Sequence, residues 1–198
     1  MKAMLNLNSP KSICVYCASS DAISQDFFAV ANELGAAIAR ADYTLIYGGG
    51  EIGLMGELAR SVHSRDGRVV GVIPEFLRRP GISYESADEL IVTVDMRERK
   101  AIMESRADAF IALPGGFGTL EEMLEIITLK QLGIINKPMV FLNTGGFYNG
   151  LNQVFEHIFD HNFAKPRYRE LYHFAQDVTE AMEHIESYEA PMLGEKWL

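Results

Sequence analysis

Apolar positions along this chain follow two rhythms in alternation. Short apolar runs of β type fall at Ser12–Cys17, Thr44–Tyr47, Arg68–Ile73, Glu89–Val94, Ala109–Leu113, Pro138–Leu142 and, shorter, Leu171–Ala175. Between them apolar residues recur at three- and four-residue steps, as at Phe28, Ala31, Leu34, Gly35 and Ile38, the period of a helix with one buried face. That period predicts helices over Gln25–Ala41, Leu54–Arg65, Met96–Ser105, Leu120–Gly133, Tyr148–His161 and Val178–Tyr188. Strands and helices taking turns predict an α/β fold, an open and mainly parallel sheet flanked by helices on both faces. Right-handed crossovers then bring the strand C-termini to one edge of the sheet, where open α/β sheets bind ligands. The longest stretch without clear period, Pro74–Asp88 with Arg78, Arg79, Pro80 and Gly81, is either a lid over that edge or a surface loop.

Composition narrows the picture. At 198 residues the chain suffices for one substantial core, so a single domain over 1–198 is expected, with its core at about 12–188. Glu189–Leu198, with Pro191 and Gly194, reads as a loose tail. The chain is 48% hydrophobic, yet no apolar run approaches a bilayer-spanning length, so a soluble protein without a membrane partner is expected. Residues 1–11 lack the apolar core and cleavage site of a signal peptide, which makes the cytoplasm the expected location. A formal net charge of −9 argues against a nucleic-acid partner, whose binding requires Lys and Arg on the phosphates. A small anionic ligand can still be held locally.

Two candidate chemistries weaken on inspection. Cys14 and Cys17 have CxxC spacing but lie in or at the end of a strand. Positions three apart on a strand point to opposite faces, so buried reduced thiols are expected instead of a redox pair. His157 and His161 are four apart on a predicted helix, but no Glu follows the first and no third ligand is evident. Neither a metal nor a cofactor is expected.

Three features of the sheet edge favour phosphate. Gly48-Gly49-Gly50-Glu51-Ile52-Gly53 follows a strand and precedes a helix, fitting the GxGxxG dinucleotide pattern, and Glu75 stands near where a ribose-binding carboxylate would be. A dinucleotide site is therefore a serious alternative, although the turn follows the second strand instead of the first. The second turn, Pro114-Gly115-Gly116-Phe117-Gly118-Thr119, leaves backbone N–H groups open at a helix start, which is an anion site. Thr119 and Glu122 also fit the T-x-x-E capping box, a reading that does not explain three glycines together. The third feature is Asp95-Met96-Arg97-Glu98-Arg99-Lys100, where Asp95 can cap a helix whose first turn is cationic against the macrodipole. Ala18-Ser19-Ser20, past the first strand, offers further hydroxyls and N–H groups.

On these residues the chain resembles the Lonely Guy family of cytokinin-activating nucleotide hydrolases, often mislabelled lysine decarboxylases. Its PGGxGTxxE signature is met by Pro114, Gly115, Gly116, Gly118, Thr119 and Glu122, and its Arg-Lys pair by Arg99 and Lys100. Tyr47–Gly50, Gly53–Gly56 and Gly71–Pro74 match as well, so the likeness runs from about Ser12 to Tyr188. The resemblance implies a homodimeric Rossmann-like fold. It also implies cleavage of the N-glycosidic bond of N6-substituted adenosine 5′-monophosphates, releasing free base and ribose 5-phosphate, with AMP a further substrate. Arg99 and Glu122 would then be the catalytic pair. Ser20, Gly49, Met96, Lys100, Gly115, Gly116, Gly118, Thr119 and Thr128 are the candidate substrate-binding residues. Many plant members place a substrate-binding Glu where this chain has Gly81, so recognition of the base is open. A decarboxylase would need a PLP-binding lysine with supporting contacts, of which the sequence gives no independent sign. A non-catalytic nucleotide carrier is the other alternative. In the hydrolase reading Glu122 orients or deprotonates water and offsets an oxocarbenium-like charge, while Arg99 keeps Glu122 ionised. No residue stands out as the acid for the departing base; Glu125, one helical turn beyond Glu122, is one option, with a solvated helix position the stronger alternative.

Overall fold

The structure, a computed structural model, describes residues 11–191; the readings of residues 1–10 and of the tail beyond residue 191 lie outside the described residues. Seven strands form one sheet: β1 (Ser12–Tyr16), β2 (Thr44–Tyr47), β3 (Val69–Pro74), β4 (Glu89–Thr93), β5 (Ala109–Ala112), β6 (Met139–Leu142) and β7 (His173–Ala175). Their order is β4-β3-β2-β1-β5-β6-β7, and every pairing is parallel. The helices are α1 (Gln25–Arg40), α2 (Gly53–His63), α3 (Met96–Arg106), α4 (Phe117–Gln131), α5 (Asn149–Asp160) and α6 (Val178–Glu186).

Side-chain alternation along the strands divides the interior into two cores. Ile13 and Val15 of β1, with Ile111 and Val140, pack against α1, α2 and α6; Cys14 and Tyr16, with Phe110 and Phe141, pack against α3, α4 and α5. Burial on both faces is why the strands read as continuous apolar runs. It also separates the two cysteines onto opposite faces, where both are free and buried. Burial pushes both thiols well above the ordinary range, so they are inert protonated groups.

The chain adds β2, β3 and β4 to one side of β1, then returns through α3 to build β5, β6 and β7 on the other. The reversal falls between β1 and β5, whose following loops diverge and open a crevice at their C-terminal ends. Pro74–Asp88 is the crossover from β3 to β4. A 3-10 turn at Glu75–Leu77 starts it, and a bridge between Gly50 and Ser83 pins it beside the first glycine turn.

Sequence and structure differ most usefully at α4. The helix begins at Phe117 with Gly116 as its N-cap, not at Leu120, and no side chain caps it. Thr119 therefore sits inside the first turn, and the expected capping box with Glu122 does not form. Such a device exists at α3 instead. Asp95 accepts from the N–H groups of Arg97 at 2.8 Å and Glu98 at 2.9 Å, while Glu98 accepts from Val94 N–H at 2.7 Å.

Candidate active site

A cavity of about 590 Å³ lies in the crevice. Its walls come from the loop after β1 (Cys17, Ala18, Ser19), the first glycine turn (Gly48, Gly50), the start of α3 (Met96, Arg99) and the second glycine turn with α4 (Gly116–Thr119, Glu121, Glu122). Ile52, Met55, Ile73, Leu77 and Ile82 supply an apolar side. Leu77 and Ile82 belong to the β3–β4 crossover, which settles its place as a wall of the site. The two glycine turns and the cationic helix start thus converge as the topology requires.

The chemistry centres on Arg99 and Glu122, whose side chains are each only 7% exposed. Arg99 Nη1 donates to Glu122 Oε1 at 2.7 Å, and Nε donates to the Val72 carbonyl at 3.0 Å. Arg99 is one of two buried residues of α3, the other being Met103, and Arg97 beside it stays exposed. The helix start that looked cationic therefore turns one guanidinium inward, where a carboxylate and a carbonyl offset the cost of burial. Gly48 makes room for it: a Cβ there would lie 2.2 Å from Arg99 Nη2.

Burial pushes the Glu122 carboxyl above its ordinary range, and the charge and hydrogen bond of Arg99 only partly pull it back. Arg99 favours the ionised form, and desolvation opposes it more strongly, leaving a carboxylate with a strengthened affinity for a proton. A carboxylate raised in this direction is a better proton acceptor than an exposed Glu.

The other sequence-derived residues divide. Gly116 and Gly118 line the cavity, and nothing lies within 4 Å of where their Cβ atoms would be, so backbone N–H groups at the start of α4 are open to an anion. Thr119 is buried on the wall, and Gly115 lets it approach, since a Cβ at Gly115 would meet Thr119 Oγ1 at 2.1 Å. Met96 lines the cavity. Gly49 does not; it faces Ile73 of β3 and shapes the turn. Ser20 gives its place to Ser19, and its own hydroxyl accepts from Ala22 N–H at 3.3 Å. Lys100 is held off the wall by Glu121 at 2.5 Å and Glu125 at 2.9 Å, and these partners raise its pKa. Glu125, once a candidate acid, is thus engaged on Lys100. Thr128 lies on a different groove between α4 and α5, where its hydroxyl donates to Leu124 O at 2.8 Å. Glu75 is not among the lining residues, and His157 and His161 belong to no cluster of three or more ligating residues among the described residues. Sequence reasoning missed Cys17, Met55, Leu77 and Ile82. Only alternation within β1 and the strand-end position of the crossover could have hinted at them.

Comparison with known proteins identifies the family. A family model described as possible lysine decarboxylase matches residues 55–185. Cytokinin riboside 5′-monophosphate phosphoribohydrolase LOG5 of Arabidopsis thaliana is 42% identical over 178 residues, which cover 90% of this chain and 78% of that protein. The chain belongs to the Lonely Guy family. A second Arabidopsis thaliana member, cytokinin riboside 5′-monophosphate phosphoribohydrolase LOG7, is 42% identical over 90% of this chain and 82% of its own length. The fold extends beyond the Lonely Guy enzymes to the Moco carrier protein of Chlamydomonas reinhardtii, 25% identical with a TM-score of 0.67 over 90% of this chain and 97% of that one. The decarboxylase description finds no support in the cavity, for among the described residues that line it there is no lysine.

Proposed function

We propose that this chain is a nucleotide N-glycosidase, hydrolysing N6-substituted adenosine 5′-monophosphates, and AMP, to free base and ribose 5-phosphate. The observation that carries this reading is the buried Arg99–Glu122 pair on a cavity that also holds the open N-terminus of α4. The 5′-phosphate meets the N–H groups at Gly116–Gly118 and the Thr119 hydroxyl. Holding this remote group orients the anomeric carbon for attack. As the C–N bond breaks, the Glu122 carboxylate offsets the oxocarbenium-like sugar; proton-hungry through burial, it then takes a proton from the water whose oxygen bonds to the anomeric carbon, and the departing base takes its proton from solvent. Arg99 fixes the carboxylate in place. Leu77, Ile82, Ile52 and Met55 give the base an apolar environment suited to an uncharged N6 substituent.

A homodimer fits the same site. The outer side of α4 exposes Leu124, and nearby Phe163 is 84% exposed, beside a groove also lined by Ile127, Thr128, Phe155 and Phe159. Thr128 stands twelve residues along α4 from Gly116, about 18 Å at helical rise. A nucleotide contact by Thr128 therefore requires a second copy that brings it to its neighbour's cavity. Cys14 and Cys17, buried on opposite faces of the sheet and unbridged, fit a single domain working in a reducing cytoplasm.

Incubation with N6-isopentenyladenosine 5′-monophosphate and with AMP, followed by quantitation of base and ribose 5-phosphate, tests the reading. Equimolar release of both products from either nucleotide is expected. Intact nucleotide binding with no base released from either refutes it, and tight NAD binding with no AMP binding would favour the dinucleotide alternative.

A further inference from the structure

The crossover that forms the apolar wall is almost wholly exposed from Glu75 to Asp88; only Ser83 and Tyr84 are buried, the latter joining the core beside α2. Backbone contacts hold these residues to the first glycine turn: Glu51 N–H donates to Ile82 O at 2.8 Å, and Tyr84 N–H donates to Gly49 O at 2.9 Å. The Tyr84 side chain then enters a chain of hydrogen bonds outside the cavity. His63, the last residue of α2, has Nδ1 at 2.9 Å from Tyr84 Oη and Nε2 at 3.0 Å from Asp88 Oδ2. Asp88 Oδ2 also accepts from Val69 N–H at 2.8 Å, the first residue of β3. An ionised carboxylate only accepts, so Nε2 carries the hydrogen in the neutral ring and Nδ1 accepts from the Tyr84 hydroxyl. One imidazole thereby clamps both ends of the crossover's descending limb, Tyr84 and Asp88, to α2.

We propose that the Tyr84–His63–Asp88 chain is a positioning anchor that fixes the Leu77–Ile82 wall, and so sets the preference for nucleotides with an apolar N6 substituent over AMP. This rests on the hydrolase reading above. With the anchor intact, the wall is ordered before substrate arrives. Without it, binding an apolar substituent must also order the wall. AMP, which lacks that substituent, does not bear this cost. None of the three residues lines the cavity, so the effect falls on binding and leaves the chemical step alone.

The test uses His63→Ala and Tyr84→Phe, the second removing one hydroxyl and keeping the ring in the core. For both, KM for N6-isopentenyladenosine 5′-monophosphate is expected to rise about five-fold, the equivalent of one net hydrogen bond of about 1 kcal/mol. KM for AMP and both kcat values stay within about two-fold of wild type, and amide exchange at Ile82–Tyr84 quickens. Asp88→Asn, which retains an acceptor for Nε2–H, remains closer to wild type than Asp88→Ala. Equal rises in KM for the two nucleotides, a fall in kcat, or unchanged exchange at Ile82–Tyr84 would overturn the anchor. Wild-type protein that binds both nucleotides and releases base from neither overturns the hydrolase reading instead. The same selectivity ratio, read then from dissociation constants, still decides whether the anchor stands.

Discussion

Replacing Arg99 by Met leaves the Glu122 carboxyl buried with no cation in contact, and the size of the penalty can be bounded. An unpaired buried carboxylate does not have to stay charged; it can take up a proton. The most that protonation can cost at pH 7 is the free energy of protonating an ordinary Glu there. From an ordinary value of 4.5 that is about 3 kcal/mol, at roughly 1.4 kcal/mol per pH unit. Sign follows from linkage. A carboxyl whose pKa is raised on folding contributes stability that is fully present below the unfolded value and lost as pH rises through the folded one. Arg99→Met should therefore cost at most about 3 kcal/mol at pH 7, less what wild type already bears through its raised carboxyl, and much less near pH 5. Adding Glu122→Leu to Arg99→Met should remove most of the pH dependence. Urea unfolding midpoints of wild type, both single variants and the double variant, taken at pH 5 and pH 7, supply the cycle. A penalty that is the same at both pH values, or that persists unchanged in the double variant, refutes the reasoning.

Three further outcomes follow from separate observations. Gly48→Ala should push the Arg99 guanidinium off Glu122, lowering kcat by about a hundredfold or more while the fold persists, as measured by initial rates and thermal unfolding together. Lys130 is buried with Nζ bonded to Lys137 O at 2.6 Å and Tyr188 Oη at 3.2 Å, and desolvation draws its pKa down to about 8. Its folded value lies below its unfolded one, so the unfolded chain binds more protons between about pH 8 and pH 10.5, and wild-type stability should gain from this group across that window; denaturant titrations of Lys130→Met should lack the gain. In the proposed homodimer Leu124 lies on the shared face, so Leu124→Glu should give a monomer by sedimentation and reduce base release in parallel, whereas a monomeric variant with full activity would remove Thr128 from the reaction.

Much of the fold was legible because strands buried on both faces read as uninterrupted apolar runs, and every element boundary falls within three residues of its expected place. The convergence of the two glycine turns and the Arg99 helix also followed from topology alone, since parallel strands put all three at one edge. What sequence could not supply was side-chain commitment across distance. Lys100 looks like a phosphate ligand until its two carboxylate partners on α4, Glu121 and Glu125, come into view. Thr119 and Glu122 fit a local capping pattern, but α4 starts three residues early at Phe117, and Glu122 finds Arg99, 23 positions away, in place of its own helix terminus. Pro74–Asp88 has no period because its wall residues serve the cavity and its Tyr84 serves the core. A pattern of burial fixed by two different neighbours has no rhythm to read.

The central claim is that the buried Glu122 carboxyl, aligned by Arg99, activates the attacking water. Glu122→Gln keeps the shape and an acceptor for Arg99 while removing the base. Single-turnover release of base from N6-isopentenyladenosine 5′-monophosphate should fall by about 10²–10⁴-fold, with nucleotide affinity within about three-fold of wild type. A Glu122→Gln protein that releases base at the wild-type rate would contradict the account.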